Sequence, residues 1–508
     1  VGTPIQVAEV PDRVTKELLT LSPGAQRAII AIFFALLAVV YAFAWAAPAV
    51  GLYHDDAVVL VTAKSIASGH GYTIESLPHP IPQTEYPPLF PAVLALFTLV
   101  SQQAWCLKLC PLACTAGWLV LTHRLLLRIG ASRNDALLLV GLTAASPPVV
   151  FLGTSLMPES LFAVLMTAAL LMLLDERALL AGMFAGLATI AQTNGMALIA
   201  ASIPILVVRR RFRGAVFFAA IAMAIVAPWF GWSLAHAPRD TWFAIGANIF
   251  TNLRANEKLA VLARNLIFVL ASPFSLLTGM TNLFSVVATV VVVGGSLYVR
   301  RQLVPDLFVA LYCLMLLCRT SPPERFVAPV FPLIFWIVWR AFRQVPVREA
   351  VAAAALVAAL LPLWSDGRRL YVAHEAGIFP ASESAPDNWN EMGKLFTYIR
   401  ATLPKDGILL ADQDSLFFLN TGHKAVRGFV PDGYSLYYAQ RQEGVTPDRL
   451  SAAIVANQVN YVVLTPDRDF AESASFHRGV AALERGGVLE PVVTPGLPPD
   501  YRLLRVAH

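Results

Sequence analysis

Apolar runs on the scale of a bilayer crossing alternate with short polar or basic connections along the first 365 residues of the chain. A helix needs about 20 apolar residues to cross, and runs at 27–47, 105–123, 135–152, 160–174, 178–191, 195–208, 214–234, 281–299, 304–318, 326–341 and 349–365 are predicted as spans on that basis. Residues 89–103 are apolar but short, which predicts a re-entrant or partly buried helix. Counted this way there are eleven crossings, rising to thirteen if two short segments also cross. Residues 1–26 are mixed and polar, and read as a cytoplasmic segment. Residues 235–280 read as a long external segment whose later part, NLIFVLASPFSLLTGM, predicts a helix lying at the surface.

The pattern changes at Asp366. Apolar density drops, and residues 387–402, 446–459 and 469–485 read as helices separated by short apolar strands at 407–414, 461–466, 488–493 and 502–506. Helices alternating with short apolar strands predict a small α/β domain over 366–508. An odd number of crossings from a cytoplasmic start places that domain outside the cell. The fold class expected is therefore a polytopic α-helical membrane protein, its membrane part over 27–365, with a C-terminal extracytoplasmic α/β domain.

Composition agrees: 57% of the 508 residues are hydrophobic and only 14% are charged, which excludes an ordinary soluble chain. The net charge of +5 has to be read by location. Arg124 and Arg128, the Arg209–Arg213 cluster, Arg300 and Arg301, and the basic stretch from Arg340 to Arg348 flank apolar runs and all fall on one side of the predicted topology. Basic residues so placed mark cytoplasmic loops of a multi-pass inner-membrane protein, and nucleic acid is not a partner. The five cysteines lie within apolar segments, so none staples an exported domain. Cys106, Cys110 and Cys114 share one helix face, which suits small residues packing between membrane helices.

Titratable residues concentrate in one external stretch, 48–88, containing YHDDAVVLVTAKSIASGHGYTIESLPHPIPQTEYPP. Asp55 and Asp56 open a short helix predicted to stop near Gly69, with Lys64, Ser65 and Ser68 on one face; free amides and the dipole at a helix start favour both acids. Glu85 precedes a double proline. A second outer loop, GTSLMPES, brings Glu159 to the same side, together with Asn194, Arg254, Lys258 and Arg325. Each of these residues has a structural reading as a cap, a solvated loop charge or an interfacial anchor. Yet an unpaired charge beside the hydrocarbon layer costs about 2.5 kcal/mol or more, so a group of carboxylates gathered there calls for a use. Carboxylates can bind a hard divalent cation, or one can deprotonate a hydroxyl while cations neutralise a departing phosphate. Both jobs meet in sugar transfer from a phosphate-linked donor.

HDDA after the first span, EYPPLFP at Glu85–Pro91, the MPES acid, ATIAQTNG and ERFVAPVFP at Glu324–Pro332 together resemble the GT-C class of membrane glycosyltransferases. Within it they resemble the glycosyltransferase family 39, aminoarabinose-transferase-like group. The resemblance covers the whole membrane part. It implies transfer of a sugar from a polyprenyl-phosphate carrier to an extracytoplasmic acceptor (lipid, glycan or protein), with inversion. It also implies a catalytic base at Asp55 or Asp56, a second-loop carboxylate at Glu159, and a metal or donor-phosphate contact at Glu85, with Asp56 as the other candidate metal ligand. Arg325 matches an arginine that would bind the donor phosphate. Two positions depart from the family pattern. Tyr86 stands where a phosphate-binding lysine is common, and Gln192 where an arginine is common. Lys64, Arg254 and Lys258 are the candidates to supply the missing charge. The rival functions are a transporter or flippase of a lipid-linked substrate and a non-catalytic polyprenyl-lipid binder. The absence of an obvious repeat and of acids deep within the spans argues against transport.

Overall fold

The computed structural model describes residues 23–46, 48–51, 54–236, 254–278, 285–290, 293–294, 302–319, 324–342, 364, 378–379, 387–428, 445–466 and 471–507. Its helices, in chain order, are α1 (Pro23–Ala46), α2 (His54–Ala67), α3 (Leu89–Val100), α4 (Ala104–Arg128), α5 (Arg133–Ala145), α6 (Pro147–Thr154), α7 (Glu159–Leu174), α8 (Ala178–Ala191), α9 (Met196–Val208) and α10 (Phe212–His236). They continue with α11 (Ala255–Thr278), α12 (Leu303–Leu317), α13 (Glu324–Val327), α14 (Phe331–Phe342), α15 (Trp389–Thr402), α16 (Asp414–Thr421), α17 (Pro447–Ala456) and α18 (Ala471–Arg485).

Among the described residues, α4 and α10 are each long and apolar enough to cross a bilayer unaided. The predicted span 135–152 is a broken one: α5 and α6 meet at 67°, because Pro147 and Pro148 cannot continue the α5 hydrogen-bond ladder and instead begin a new helix. Residues 31–46 of α1, α3, α7, α8, α12 and the stretch Thr193–Val208, which contains α9, are shorter apolar helices. Most of the predicted span at 281–299, all of that at 349–365 but residue 364, and most of the N-terminal segment lie outside the described residues. Apolar side chains are exposed along α1 (Ile32, Phe34, Val39), α4 (Val120, Leu127) and α10 (Val216, Phe217, Met223), as expected of helices solvated by lipid tails. Elsewhere the helices pack very closely. Gly182 and Gly186, one turn apart on α8, lie against the α10 backbone, where an added Cβ would come within 2.5 Å of Phe218 O and 3.0 Å of Ala222 O. Small residues four apart let two membrane helices meet backbone to backbone.

Two short antiparallel pairs, β1 (Thr73–Ile74) with β2 (Ile81–Pro82) and β3 (Ile378–Phe379) with β4 (Asp387–Asn388), precede the C-terminal sheet. That sheet holds β5 (Leu409–Ala411), β6 (Ala425–Arg427), β7 (Tyr461–Leu464), β8 (Leu489–Val492) and β9 (Arg502–Val506) in the order β6-β5-β7-β9-β8. β5 runs parallel to both β6 and β7, and β9 antiparallel to β7 and β8. Four of these strands fall where the apolar pattern put them. The predicted strand 407–414 ends early at Ala411, and Asp414 starts α16 instead, the α16 dipole favouring its charge.

The sheet rests on the first loop. Ala425 N–H donates to Ser76 O at 2.8 Å, and Ala57 at the start of α2 packs among Met392, Leu395 and Phe417. Gly51 lies in the left-handed region (φ 103°), and a Cβ there would press to 3.0 Å on Trp389.

Candidate active site

Asp55 lies in the first turn of α2 and is the meeting point of three elements. Tyr86 Oη donates to Asp55 Oδ1 at 2.6 Å, and an Arg325 Nη, from α13, donates to Oδ2. Arg325 Nε lies 3.6 Å from Glu159 Oε1, so one guanidinium bridges the acids of both loops. Glu159 is the first residue of α7, after Pro158, where the helix dipole favours its charge; Gln192 Nε2 donates to it at 3.3 Å. The side chains of Asp55, Arg325 and Glu159 are 27%, 18% and 1% exposed. Burial pushes Asp55 up, but the Arg325 charge and the hydrogen bonds from Tyr86 and Arg325 outweigh it and hold the carboxyl at about 2.

The sequence folds this way because the turn around Glu85 is held from several directions. Gln83 Oε1 accepts the backbone N–H of Glu85 (3.0 Å) and Tyr86 (3.3 Å), its Nε2 reaches Thr62 on α2, and Trp232 on α10 donates to its carbonyl at 3.0 Å. Tyr72 Oη donates to Tyr86 O. Glu85 is thereby placed where burial first, and the Asp55 charge second, raise its carboxyl well above the usual range, against the charges of Arg427 and Arg325. Burial and the neighbouring Asp55 likewise keep the Tyr86 phenol protonated.

Asp56 faces elsewhere. It is fully buried, and both its oxygens accept the Gly51 N–H at 3.1 Å. Lys64 lies at the far end of α2, nine residues from Asp55, or roughly 14 Å along the axis. At the start of α11, the Arg254 backbone N–H donates to Glu257 Oε2 and its side chain is exposed; no hydrogen bond or ion pair ties Arg254 or Lys258 to the acids among the described residues. Of the predicted residues, the structure thus joins Asp55, Tyr86, Glu159 and Arg325, sets Glu85 nearby, and leaves Asp56, Lys64, Arg254 and Lys258 outside the group. As for a cation, among the described residues no three His, Cys, Asp or Glu side chains converge. Asp56, one of the two candidate ligands, is already bonded to backbone.

Four residues enter that the sequence reading did not single out. Arg319 follows α12, its guanidinium lies 3.5 Å from the Phe326 ring centroid, and its buried Nε has no hydrogen-bond partner among the described residues. Burial and the Arg325 charge lower it to about 10, while Asp55 and Glu159 act to raise it. The buried Asn265 on α11 fixes this hinge, donating to the carbonyls of Leu316 (3.2 Å), Leu317 (3.0 Å) and Arg319 (2.7 Å). Arg427 ends β6, and its charge acts on both Glu85 and His54. Asp414 accepts or shares a proton with His54 Nε2 at 2.7 Å. A usable signal existed for Arg319: on the predicted topology it falls on the outer side, against the rule that collects Arg and Lys inside.

ArnT from Cupriavidus metallidurans in the apo state superposes with a TM-score of 0.65, at 13% identity, over 94% of this chain and 98% of that one. The chain carries the GT-C membrane-glycosyltransferase fold. ArnT from the same organism bound to undecaprenyl phosphate gives a TM-score of 0.62, also at 13% identity, over 95% of this chain and 98% of that one. The sequence model of glycosyltransferase family 87 matches residues 84–322, slightly under half of the chain. That stretch includes Glu85, Tyr86, Glu159 and Arg319, and stops short of Asp55 and Arg325. Family 87 thus matches where the motifs suggested family 39; the GT-C class is common to both readings. No curated protein matches the sequence significantly.

Proposed function

We propose that this protein is an integral-membrane glycosyltransferase that moves a sugar from a polyprenyl-phosphate carrier to an acceptor hydroxyl on the extracytoplasmic face. The observation that carries the reading is the bridge Asp55–Arg325–Glu159, half-buried at the edge of the apolar bundle with Arg319 beside it. The family 87 match and the fold of ArnT, one structure of which holds undecaprenyl phosphate, add support.

In the resting protein Arg325 keeps Asp55 ionised but weakly basic. A donor phosphate competes for the same guanidinium, with Arg319 as its second cation. As Arg325 turns to the phosphate, the Asp55 carboxylate loses its counter-charge and regains basicity. Asp55 then takes the acceptor hydroxyl proton, the oxygen attacks the anomeric carbon, and the carbon–oxygen bond to phosphate breaks with its electron pair leaving on the phosphate. The arginines neutralise that charge in a site of low dielectric, where fixed cations act most strongly. Attack opposite the leaving group inverts the anomeric centre. Tyr86 holds Asp55 in register and Glu159 anchors Arg325 from the other side. The N-terminus is assigned to the cytoplasm and the C-terminal α/β region to the outside, over the site, where it helps to select the acceptor.

Native mass spectrometry of the gently extracted protein, with polyprenyl phosphosugars added, tests the donor assignment. A retained polyprenyl phosphate or phosphosugar is the expected result, and its mass names the sugar class. Retention of bulk phospholipid alone contradicts the assignment.

A further inference from the structure

The start of α2 is held from the membrane side by Tyr86 and Arg325, and from the opposite side by the C-terminal sheet and its helices. His54, the first residue of α2 and the neighbour of Asp55, places Nε2 2.7 Å from Asp414 Oδ1. Asp414 is fully buried at the first turn of α16, where the helix dipole favours its charge. Its Oδ2 accepts from Ser76 Oγ at 3.4 Å and Ser415 Oγ at 3.3 Å, so the carboxylate has a fixed orientation towards His54. The same face carries the Ala425–Ser76 backbone bond, a hydrogen bond from Lys424 Nζ to Glu75 O, and Ala57 packed among Met392, Leu395 and Phe417.

A buried carboxylate carries a large desolvation cost, and burying Asp414 only to hold two domains together is inefficient when apolar packing already does so. The geometry gives the charge another task. His54 and Asp55 are successive residues at one helix start, so a rotation of the first carries the second with it. Asp55 divides its two oxygens between Tyr86 and Arg325, which leaves little angular tolerance. Displacement of a reacting group by about 1 Å can cost about 10²-fold in rate.

We propose that Asp414 and His54 are a positioning pair through which the C-terminal α/β region sets the Asp55 carboxylate, so that the transfer site is complete only when that region is seated on α2. Neither residue touches the reacting atoms. The kinetic consequence rests on the transferase reading; the structural one does not.

The test is a double-mutant cycle on the full-length protein in lipid bilayers, with Asp414→Ala, Asp414→Asn, His54→Ala and His54→Ala/Asp414→Ala. Expected for Asp414→Ala is a fall in kcat on the order of 10²-fold with donor KM unchanged within about twofold. Asp414→Asn should keep most of the activity, because its amide oxygen still accepts from His54, and the double variant should be no worse than His54→Ala alone. Wild-type kcat in Asp414→Ala overturns the proposal, as do independent additive losses or an Asp414→Asn as deficient as the alanine variant. Amide exchange followed by mass spectrometry gives a readout free of activity. Asp414→Ala should speed exchange over 54–60 by about tenfold or more while the α4 and α7 amides keep their protection. Unchanged exchange over 54–60 overturns the proposal. If Asp414→Ala does not fold, His54→Ala and Asp414→Asn carry both readouts. A wild-type protein without turnover on any polyprenyl phosphosugar sinks the transferase reading, and the exchange result alone then decides the positioning pair.

Discussion

Two charged regions of the membrane part use the same chemistry in opposite surroundings. At the end of α4 and α7, Arg128 Nε meets Asp175 at 2.9 Å with side chains 55% and 39% exposed, and Arg211 pairs with Glu176 nearby. At the start of α2, α7 and α13, Arg325 joins Asp55 and Glu159 in a site where the three side chains are 27% exposed or less. The exposed pairs are solvated whether or not they form, so they are worth about 0–1 kcal/mol. The enclosed group has given up its water, and each member depends on the others. Charge in the first region serves topology; charge in the second is retained against a desolvation cost, which is why chemistry is assigned there.

The comparison breaks most visibly at Asp55. Asp55→Asn should lower turnover by about 10²–10⁴-fold, the usual contribution of a general base, with the protein still folded and still retaining donor lipid. Asp56→Ala should cost stability through the lost Gly51 bonds and leave the catalytic step of the folded fraction near wild type. Unfolding temperature and single-turnover rates, measured together, separate the two.

Arg325→Ala comes next. Removing the shared cation strands two carboxylates, and the loss should fall toward the low end of about 3–5 kcal/mol because Arg325 keeps some exposure. Arg128→Ala, its counterpart in the exposed region, should stay within about 1 kcal/mol in denaturant titrations.

Asp55 and Glu85 of the first loop should also respond to pH in opposite senses. Asp55, held at about 2, contributes stability that is complete above the ordinary carboxylate range and lost as pH falls from about 4 towards 2. Glu85 is raised, so the folded state binds its proton more tightly than the unfolded chain, and stability falls as pH rises from the ordinary carboxylate range of about 4 towards that raised value. Glu85→Gln should therefore raise the unfolding temperature at pH 7, and the gain should vanish below about pH 4. A gain that persists at low pH contradicts the electrostatic account of Glu85.

Much of the scaffold was legible because its signals are local. Apolar runs placed α4, α7, α8, α9, α10 and α12 within a few residues, and short apolar stretches placed β5, β7, β8 and β9. The sequence reading took 135–152 as one span; the break lies at Pro147–Pro148, and its 67° angle depends on neighbouring helices. Asp55, Glu85, Glu159 and Arg325 were legible as charges beside apolar runs. What their sequence could not convey is pairing at long range. Arg325 finds Asp55 across 270 positions, His54 finds Asp414 across 360, and Tyr86 turns from a missing cation into the hydrogen-bond donor that orients the base. Lys64 had the right charge but at the far end of its helix, and Arg254 makes no hydrogen bond or ion pair with the acids among the described residues.

The central claim is that the enclosed Asp55–Arg325–Glu159 group transfers a sugar. Its most direct test is a time course of label transfer from a panel of radiolabelled polyprenyl phosphosugars in proteoliposomes, comparing wild type with Asp55→Asn at matched folded protein. The expected result is transfer to an acceptor hydroxyl by the wild type with at least one sugar, and a loss of about 10²-fold or more in the variant. Equal rates for the two proteins would contradict the claim.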